Sequence, residues 1–329
     1  MNITSGIFYL KKARREIASL NNRVGRKGLS ALFSYADFLW CYARYGCLIS
    51  QYVNGNFWKY RHTDRKQILT YRGVLEFINR CNASEHIHKL DNKITFNRFF
   101  KDYVNRSWLS SEEMTIDDFR AICLKSPQLI VKPLDECEGR GIELITPPLS
   151  DLASKEFIKL YDSLKNRKVI IEERIFNHPE MEFNNNSINT VRVNTLLDKS
   201  GKVHCFKPVL RVGVGKSVVD NYNAGGCEYS IDPVSGIITS LCYQGYELRG
   251  IHHPGCDKVM PGYQIPMWHE LRQTIDKACH MIPECRFIGW DVAITPTGIQ
   301  LIEGNHNPGN VSMEFFGETG WYGKLKQYI

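Results

Sequence analysis

The chain has 329 residues, 43% hydrophobic and 23% charged, with a formal net charge of +7. This length exceeds the usual single core and predicts two or three subdomains, and the composition is that of a soluble globular protein, not a disordered or fibrous one. The modest positive charge suits an anionic substrate, a nucleotide or an acidic membrane surface; no zinc-finger, RRM-like or other signature of nucleic-acid binding accompanies it.

Residues 1–30 carry Lys11, Lys12, Arg14, Arg15, Arg23, Arg26 and Lys27 against the single acid Glu16. That pattern fits a basic helix seated on anionic lipid or on a protein partner, or else a plain solvated helix face. The apolar run from Ala31 to Val53 is broken by Asp37, Arg44 and Gln51, so it predicts a buried helix and not a membrane span. Helical spacing continues to about residue 90, which predicts an N-terminal helical region over 1–90. No secretory leader is recognised. The eleven cysteines stand singly, with no CxxC, and predict reduced thiols in a cytoplasmic protein.

After Asp91 the pattern becomes mixed. Leu129–Pro133 and Val169–Glu172 read as strands, 151–166 and 267–282 as helices, and hairpin signals recur beyond 185. The prediction is an α+β domain over 91–329, divided into 91–170 and 171–329. Between two strand-like runs, Glu138-Gly139-Arg140-Gly141 could bring backbone N–H groups over phosphates, since glycine permits both the tight turn and close approach. Lys132, at the end of a buried strand, wants an anionic partner, which a phosphate would supply. Glu172, Glu173 and Glu180 cluster near a strand end, where a carboxylate could accept from ribose hydroxyls. His178, His252 and His253 are acid/base candidates or structural histidines.

Arg192 and Arg211 lie in adjacent strand-like runs. If those runs form one hairpin, both guanidinium groups could face one site as phosphate or acyl-phosphate binders. Gly213-Val-Gly215-Lys216-Ser217 is not a Walker loop, because Leu210 stands where that motif needs glycine. It reads as a substrate loop in which Lys216 is a further catalytic candidate.

The most specific stretch is Phe287–Gly309, two apolar runs around Pro296-Thr297-Gly298. A three-residue loop would pair Thr295 with Ile299 and set Asp291 opposite Glu303, with Asn305 on the same face. Two carboxylates and an amide oxygen on one patch of sheet make a hard-oxygen Mg²⁺ site; the alternative is an exposed hairpin with solvated acids.

In chain order, Asp91-Asn-Lys93, Val131-Lys132-Pro133, Gly139-Arg-Gly141, Ile171-Glu-Glu173 and Asp291…Glu303-Gly-Asn305 resemble the ATP-grasp superfamily. Ile188-Asn-Thr-Val-Arg192, Asp220–Gly226 and Gly289-Trp-Asp291-Val-Ala are similar to its sugar-transfer-associated family, whose members are linked to capsule and other surface polysaccharide synthesis. The resemblance implies an ATP-grasp fold, two α+β subdomains gripping ATP. It implies phosphate contacts from Lys93 and Lys132, and adenine or ribose contacts from Glu172, Glu173, the backbone at Arg174 and Ile175, and Glu180. Two Mg²⁺ ions would lie on Asp291, Glu303 and Asn305. The implied activity is ADP-forming carboxylate–amine ligation through an acyl phosphate, with a carboxylated sugar or glycan precursor and an amino acid or amine as substrates. The rivals are a kinase acting on a sugar-like acceptor and a non-catalytic ATP-binding subunit of a glycosyltransferase assembly at the inner membrane face. One departure stands out: related ligases often have arginine two residues before the metal-binding aspartate, where this chain has Gly289, which directs attention to Arg192 and Arg211 for the missing charge.

Overall fold

The computed structural model describes residues 3–136, 139–183, 187–215, 225–244, 247–308 and 320–329. Two predicted site residues, Glu138 and Lys216, lie outside the described residues. The chain divides into two compact units, one drawn from Met1–Asn82, Asp198–Ser200 and Asn307–Ile329, the other from Ala83–Leu197 and Gly201–His306.

In the first unit, α1 (Ile3–Arg23), α2 (Leu29–Tyr45) and α3 (Ile49–Val53) pack through Ala13, Ile17, Leu20, Phe38, Cys41 and Tyr52. Gly46 ends α2: at φ 67° it takes the left-handed conformation, and its N–H returns to the carbonyls of Cys41 and Tyr42. A side chain at Gly46 would collide with Arg72. The apolar run at 31–53 is therefore two helices and not the single buried helix predicted, and α2 turns only Ser34, Phe38, Cys41 and Tyr45 fully inward. Asp37, which interrupts that run, is gripped by Arg65 at 2.7 and 2.8 Å and accepts from the Tyr52 hydroxyl at 2.8 Å. Burial alone would raise the Asp37 carboxyl; these donors outweigh it and hold it below its ordinary value. The short α4 (His62–Arg65), α5 (Tyr71–Cys81) and the C-terminal helix Trp321–Lys326 belong to the same unit.

The second unit is α+β. It opens with α6 (His88–Asp91) and α7 (Lys93–Phe99), followed by a four-stranded antiparallel sheet of β1 (Trp108–Ser110), β2 (Leu129–Pro133), β3 (Glu143–Ile145) and β4 (Val169–Glu173), in the order β1-β4-β2-β3. The helices α8 (Ile116–Lys125) and α9 (Lys155–Lys165) bury Phe119, Ile122, Phe157 and Leu164 against its apolar face.

A seven-stranded antiparallel sheet follows. Its strands are β5 (Thr190–Leu197), β6 (Val203–Val212), β7 (Cys227–Ser230), β8 (Tyr243–Gln244), β9 (Glu247–Leu248), β10 (Phe287–Thr295) and β11 (Gly298–Asn305), in the order β11-β10-β5-β6-β7-β8-β9. Val191, Val193, Leu210, Trp290 and Val292 turn one face into the core, where α10 (Trp268–Met281) adds Leu271, Ile275 and Ala278. Alternation therefore sends Arg192, Arg211 and Asp291 to the other face.

The β10/β11 hairpin departs from the predicted turn. Thr295 pairs with Gly298, so the loop is Pro296-Thr297 alone. Continued unbroken, that register would set Asp291 against Ile302. A bulge at Ile302 absorbs the extra residue: Val292 faces Leu301, and Asp291 faces Glu303 after all. The tight turn sets Leu301 opposite Val292 in the core, and the bulge after it brings Glu303 beside Asp291. The strand β6 has a second irregularity, since Arg192 faces Val209 while Asn194 faces Phe206. Lys207 takes φ 46° there, next to Pro208, which has no N–H for the ladder.

Candidate functional site

The polar face of the larger sheet carries a row of charges running across its strands. Arg192 on β5 reaches Asp291 on β10 with both Nε and Nη2, the latter at 2.7 Å from Oδ2. Arg211 on β6 donates to Asp291 Oδ1 at 3.3 Å and to Glu228 on β7 at 3.2 Å. The runs of Arg192 and Arg211 do form one antiparallel hairpin, and both guanidinium groups meet on the same carboxylate. Burial alone would raise Asp291; the charges of Arg192 and Arg211 hold it well below the ordinary range.

Glu303 differs. Burial and the Asp291 carboxylate push it up to about 7, although 46% of its side chain stays open to solvent. Arg192 lies 3.9 Å away, and the Asn305 amide donates to Glu303 Oε1 at 3.2 Å. With Asp291 already satisfied by arginines, Glu303 bears the unrelieved share of the paired charge. Hard oxygens with surplus negative charge, open on one side, fit a Mg²⁺ ion that would complete its shell with water and phosphate. Among the described residues no three His, Cys, Asp or Glu side chains cluster as a self-contained metal cage. The donors at hand are two carboxylates and the Asn305 amide.

A second cluster lies in the smaller sheet. Glu172 on β4 is buried, accepts from Asn97 at 2.9 Å and Arg106 at 3.0 Å, and meets Lys132 on β2 at 2.5 Å. Burial would raise it, but the Arg106 and Lys132 charges hold it well below the usual carboxylate range. Glu173 points to the opposite face, where the Ser107 N–H donates to it at 3.0 Å and Lys125 lies at 3.2 Å. Alternation thus sets Glu172 and Glu173, both expected at the nucleoside, on opposite faces of the strand, and three protein donors engage the Glu172 oxygens. Arg174 is hydrogen-bonded to Gln128 through both backbone and side chain, and Ile175 is half-buried beside it. Glu180 is exposed in a short turn after His178, and its carbonyl accepts from Tyr263 at 2.5 Å.

Lys93 begins α7 and donates to the Glu136 carbonyl at 2.8 Å, which ties it to the glycine turn. Gly139 and Gly141 both have positive φ, 75° and 67°, and a Cβ on Gly141 would sit 2.9 Å from the Pro133 ring. Lys93, Lys132, Gly139, Arg140 and Gly141 thus gather around one strand end. His253 is buried against the Tyr229 hydroxyl at 2.9 Å, a structural arrangement, and the His178 ring receives the Glu180 N–H at 3.2 Å.

Three residues escaped the sequence reading. Arg106 sits in a loop with no motif, yet binds Glu172 and also donates to the Leu301 and Ile302 carbonyls at 2.8 and 3.4 Å, at the bulge that positions Glu303. Asn97 is a mid-helix residue whose role shows only through its partner. Asn194 is fully buried on the polar face and pairs in register with Gly289, which on its other side pairs with Asn305. Two asparagines thus flank the position where an arginine was expected. An asparagine at an alternating position of a buried strand was the available signal.

The raised Glu303 gives a signed pH dependence. Its folded value lies above its ordinary 4.5, at about 7. Such a group contributes stability that is full below the unfolded value and lost as pH rises through the folded one. Denaturant unfolding of the ligand-free protein should show declining stability from about pH 5 to about pH 8, and Glu303→Gln should flatten that decline. A Glu303→Gln profile with the wild-type slope would mean that this carboxyl is not crowded by Asp291.

The family described as sugar-transfer associated ATP-grasp matches residues 74–328. No curated protein matches the sequence. Among solved structures, the chain is similar to an ADP complex of purK, an N5-carboxyaminoimidazole ribonucleotide synthetase, at 11% identity and TM-score 0.47, covering 80% of this chain and 58% of that one. It is similar to the ATP-grasp ligase PsnB with Mg and ADP at 13% identity and TM-score 0.46, covering 78% and 64%. D-alanyl-alanine synthetase A from Vibrio cholerae matches at 14% identity and TM-score 0.39, covering 73% and 60%. The chain spans less than two thirds of the length of each of these structures. Matched over 74–328, it belongs to the sugar-transfer associated ATP-grasp family, and its α+β architecture is the ATP-grasp fold.

Proposed function

We propose that the protein is an ATP- and Mg²⁺-dependent, ADP-forming carboxylate–amine ligase that joins an amino acid or other amine to a carboxylated sugar or glycan precursor. The observation that carries this reading is the row Glu303, Asp291, Arg192, Arg211 on one sheet face, with Glu303 at the solvent-open end and Asp291 buried between it and the two arginines. The family description, which names sugar transfer, supports the substrate class. A cytoplasmic setting belongs to the same proposal and is supported by ten described cysteines, all free thiols.

In the proposed reaction, a substrate carboxylate oxygen attacks the γ-phosphorus of ATP, the bond to the β-phosphate oxygen breaks, and ADP leaves an acyl phosphate. The amine nitrogen then attacks the acyl carbon, phosphate departs with the C–O electron pair, and the nitrogen loses a proton. Transfer of this kind depends on positioning and charge neutralisation more than on a protein nucleophile. Arg192 and Arg211, fixed by Asp291 and Glu228, present oriented cations to the anionic carboxylate and acyl phosphate. Lys132, oriented by Glu172, and Lys93 would meet the phosphates beside Gly139–Gly141, with Glu173, Arg174, Ile175 and Glu180 toward the nucleoside and Lys216 toward substrate. Mg²⁺ held by Asp291, Glu303 and Asn305, one ion or two, would supply charge neutralisation at the phosphate oxygens.

The assay is ADP and phosphate release with Mg²⁺, ATP, a uronic acid and a panel of amino acids, with product mass read in parallel. The ligase reading expects a product lighter than its two substrates by one water. A lasting phosphate gain on the sugar would make the protein a kinase, and ATP binding without turnover would make it a scaffold; either result overturns the reading. Arg192→Lys keeps the charge but loses the two-point grip, and should lower kcat by at least about tenfold while the protein still melts cooperatively. Wild-type turnover in Arg192→Lys would remove Arg192 from the catalytic role.

A further inference from the structure

We infer that the α1–α2 pair of the first unit docks on an anionic membrane surface. The helix α2 has two apolar faces. Ser34, Phe38, Cys41 and Tyr45 point inward. On the opposite side Leu29, Leu32, Phe33, Ala36, Leu39, Trp40 and Ala43 recur at helical spacing, and every one of them is exposed, Leu29 at 74%, Leu32 at 68% and Phe33 at 71%. No charged residue interrupts that stripe. Adjacent exposed apolar side chains extend it: of the eighteen exposed large hydrophobic residues among the described ones, nine fall between Phe8 and Tyr42. Exposed apolar residues scattered singly are ordinary, but a continuous helical stripe marks a contact surface.

Charge identifies the occupant. Residues 1–45 contain eight Lys and Arg against two acids, Glu16 and Asp37, and so hold +6 of the chain's +7. Asp37 is spent on Arg65 within the core. Ala13, Ile17 and Leu20 turn α1 inward, which leaves Lys11, Lys12, Arg14 and Arg15 exposed, with Arg23 and Lys27 exposed at the turn into α2. Both helices pack on each other and on α3, and the cations of α1 and the apolar stripe of α2 lie on their exposed sides. A second copy docked face to face would bring two such cationic layers together. An acidic lipid surface complements both features: lysines and arginines meet headgroups, and Phe33 and Trp40 enter the interface, where aromatic rings are favoured. The helix would lie on the bilayer, since no described helix is long and apolar enough to cross it.

The test is flotation of the full chain with phosphatidylcholine vesicles and with vesicles containing about one quarter phosphatidylglycerol, at low and high salt. The expected result is binding to the anionic vesicles only, weakened by salt. Leu32→Glu/Phe33→Glu should abolish it, and Lys11→Glu/Lys12→Glu/Arg15→Glu should weaken it at least about tenfold; both variants change exposed positions, and cooperative melting checks their fold. Failure of the wild type to float with anionic vesicles overturns the inference. So does undiminished binding by Leu32→Glu/Phe33→Glu, or a wild-type dimer that this variant converts to monomer with no change in vesicle binding. Because none of these readouts uses ATP turnover, their outcome is independent of the ligase reading.

Discussion

The pairing of Asp291 with Glu303 across β10 and β11 is the constraint around which the second unit is arranged. Two carboxylates on adjacent strands repel, and burial of one of them multiplies the cost of leaving it uncompensated. Arg192 is supplied by the next strand and Arg211 by the one after, while Glu228 balances Arg211 from the fourth. The arginines settle on Asp291, so the surplus charge collects on Glu303, at the open edge of the sheet. A site whose residual charge is placed where a divalent cation and phosphates can reach it needs no protein nucleophile to be useful.

Arg106 joins this hairpin to the smaller sheet. One guanidinium group serves Glu172 and the Leu301 and Ile302 carbonyls. Those carbonyls belong to the bulge that returns Glu303 to its place opposite Asp291. Glu172 in turn orients Lys132, on the strand that leads into the glycine turn. The lysine side and the carboxylate side of the site are thus coupled through one buried cation, with Asn97 donating to the same Glu172 oxygen as Arg106. Loss of Arg106 would leave a buried carboxylate without its main counter-charge and free the bulge at once.

Much of this was legible in the residues and some of it for the wrong reason. A three-residue loop predicts the juxtaposition of Asp291 and Glu303; the turn is tighter, and the Ile302 bulge makes up the difference. The bulge shifts only the residues beyond Leu301, a departure from the turn's register that local turn chemistry does not encode. Alternation did encode the shared face of Arg192 and Asp291. It also implies that Glu172 and Glu173, though adjacent in the sequence, point apart. Arg106 and Asn97 were invisible because their partners lie far along the chain. In α2, the inner stripe resembles any buried helix; only the packing of α1 and α3 reveals that the residues of the second apolar stripe stay exposed among the described residues.

Proton linkage reports most directly on whether Asp291, Glu303 and Asn305 hold Mg²⁺ with nucleotide. A carboxyl poised at about 7 must lose its proton to ligate a cation. Calorimetric titration of Mg²⁺ and ATP into the protein at pH 7, in buffers of different ionisation enthalpy, should show release of about half a proton per nucleotide bound, absent in Glu303→Gln. Magnesium-independent nucleotide binding, or equal proton release from wild type and Glu303→Gln, would contradict the account.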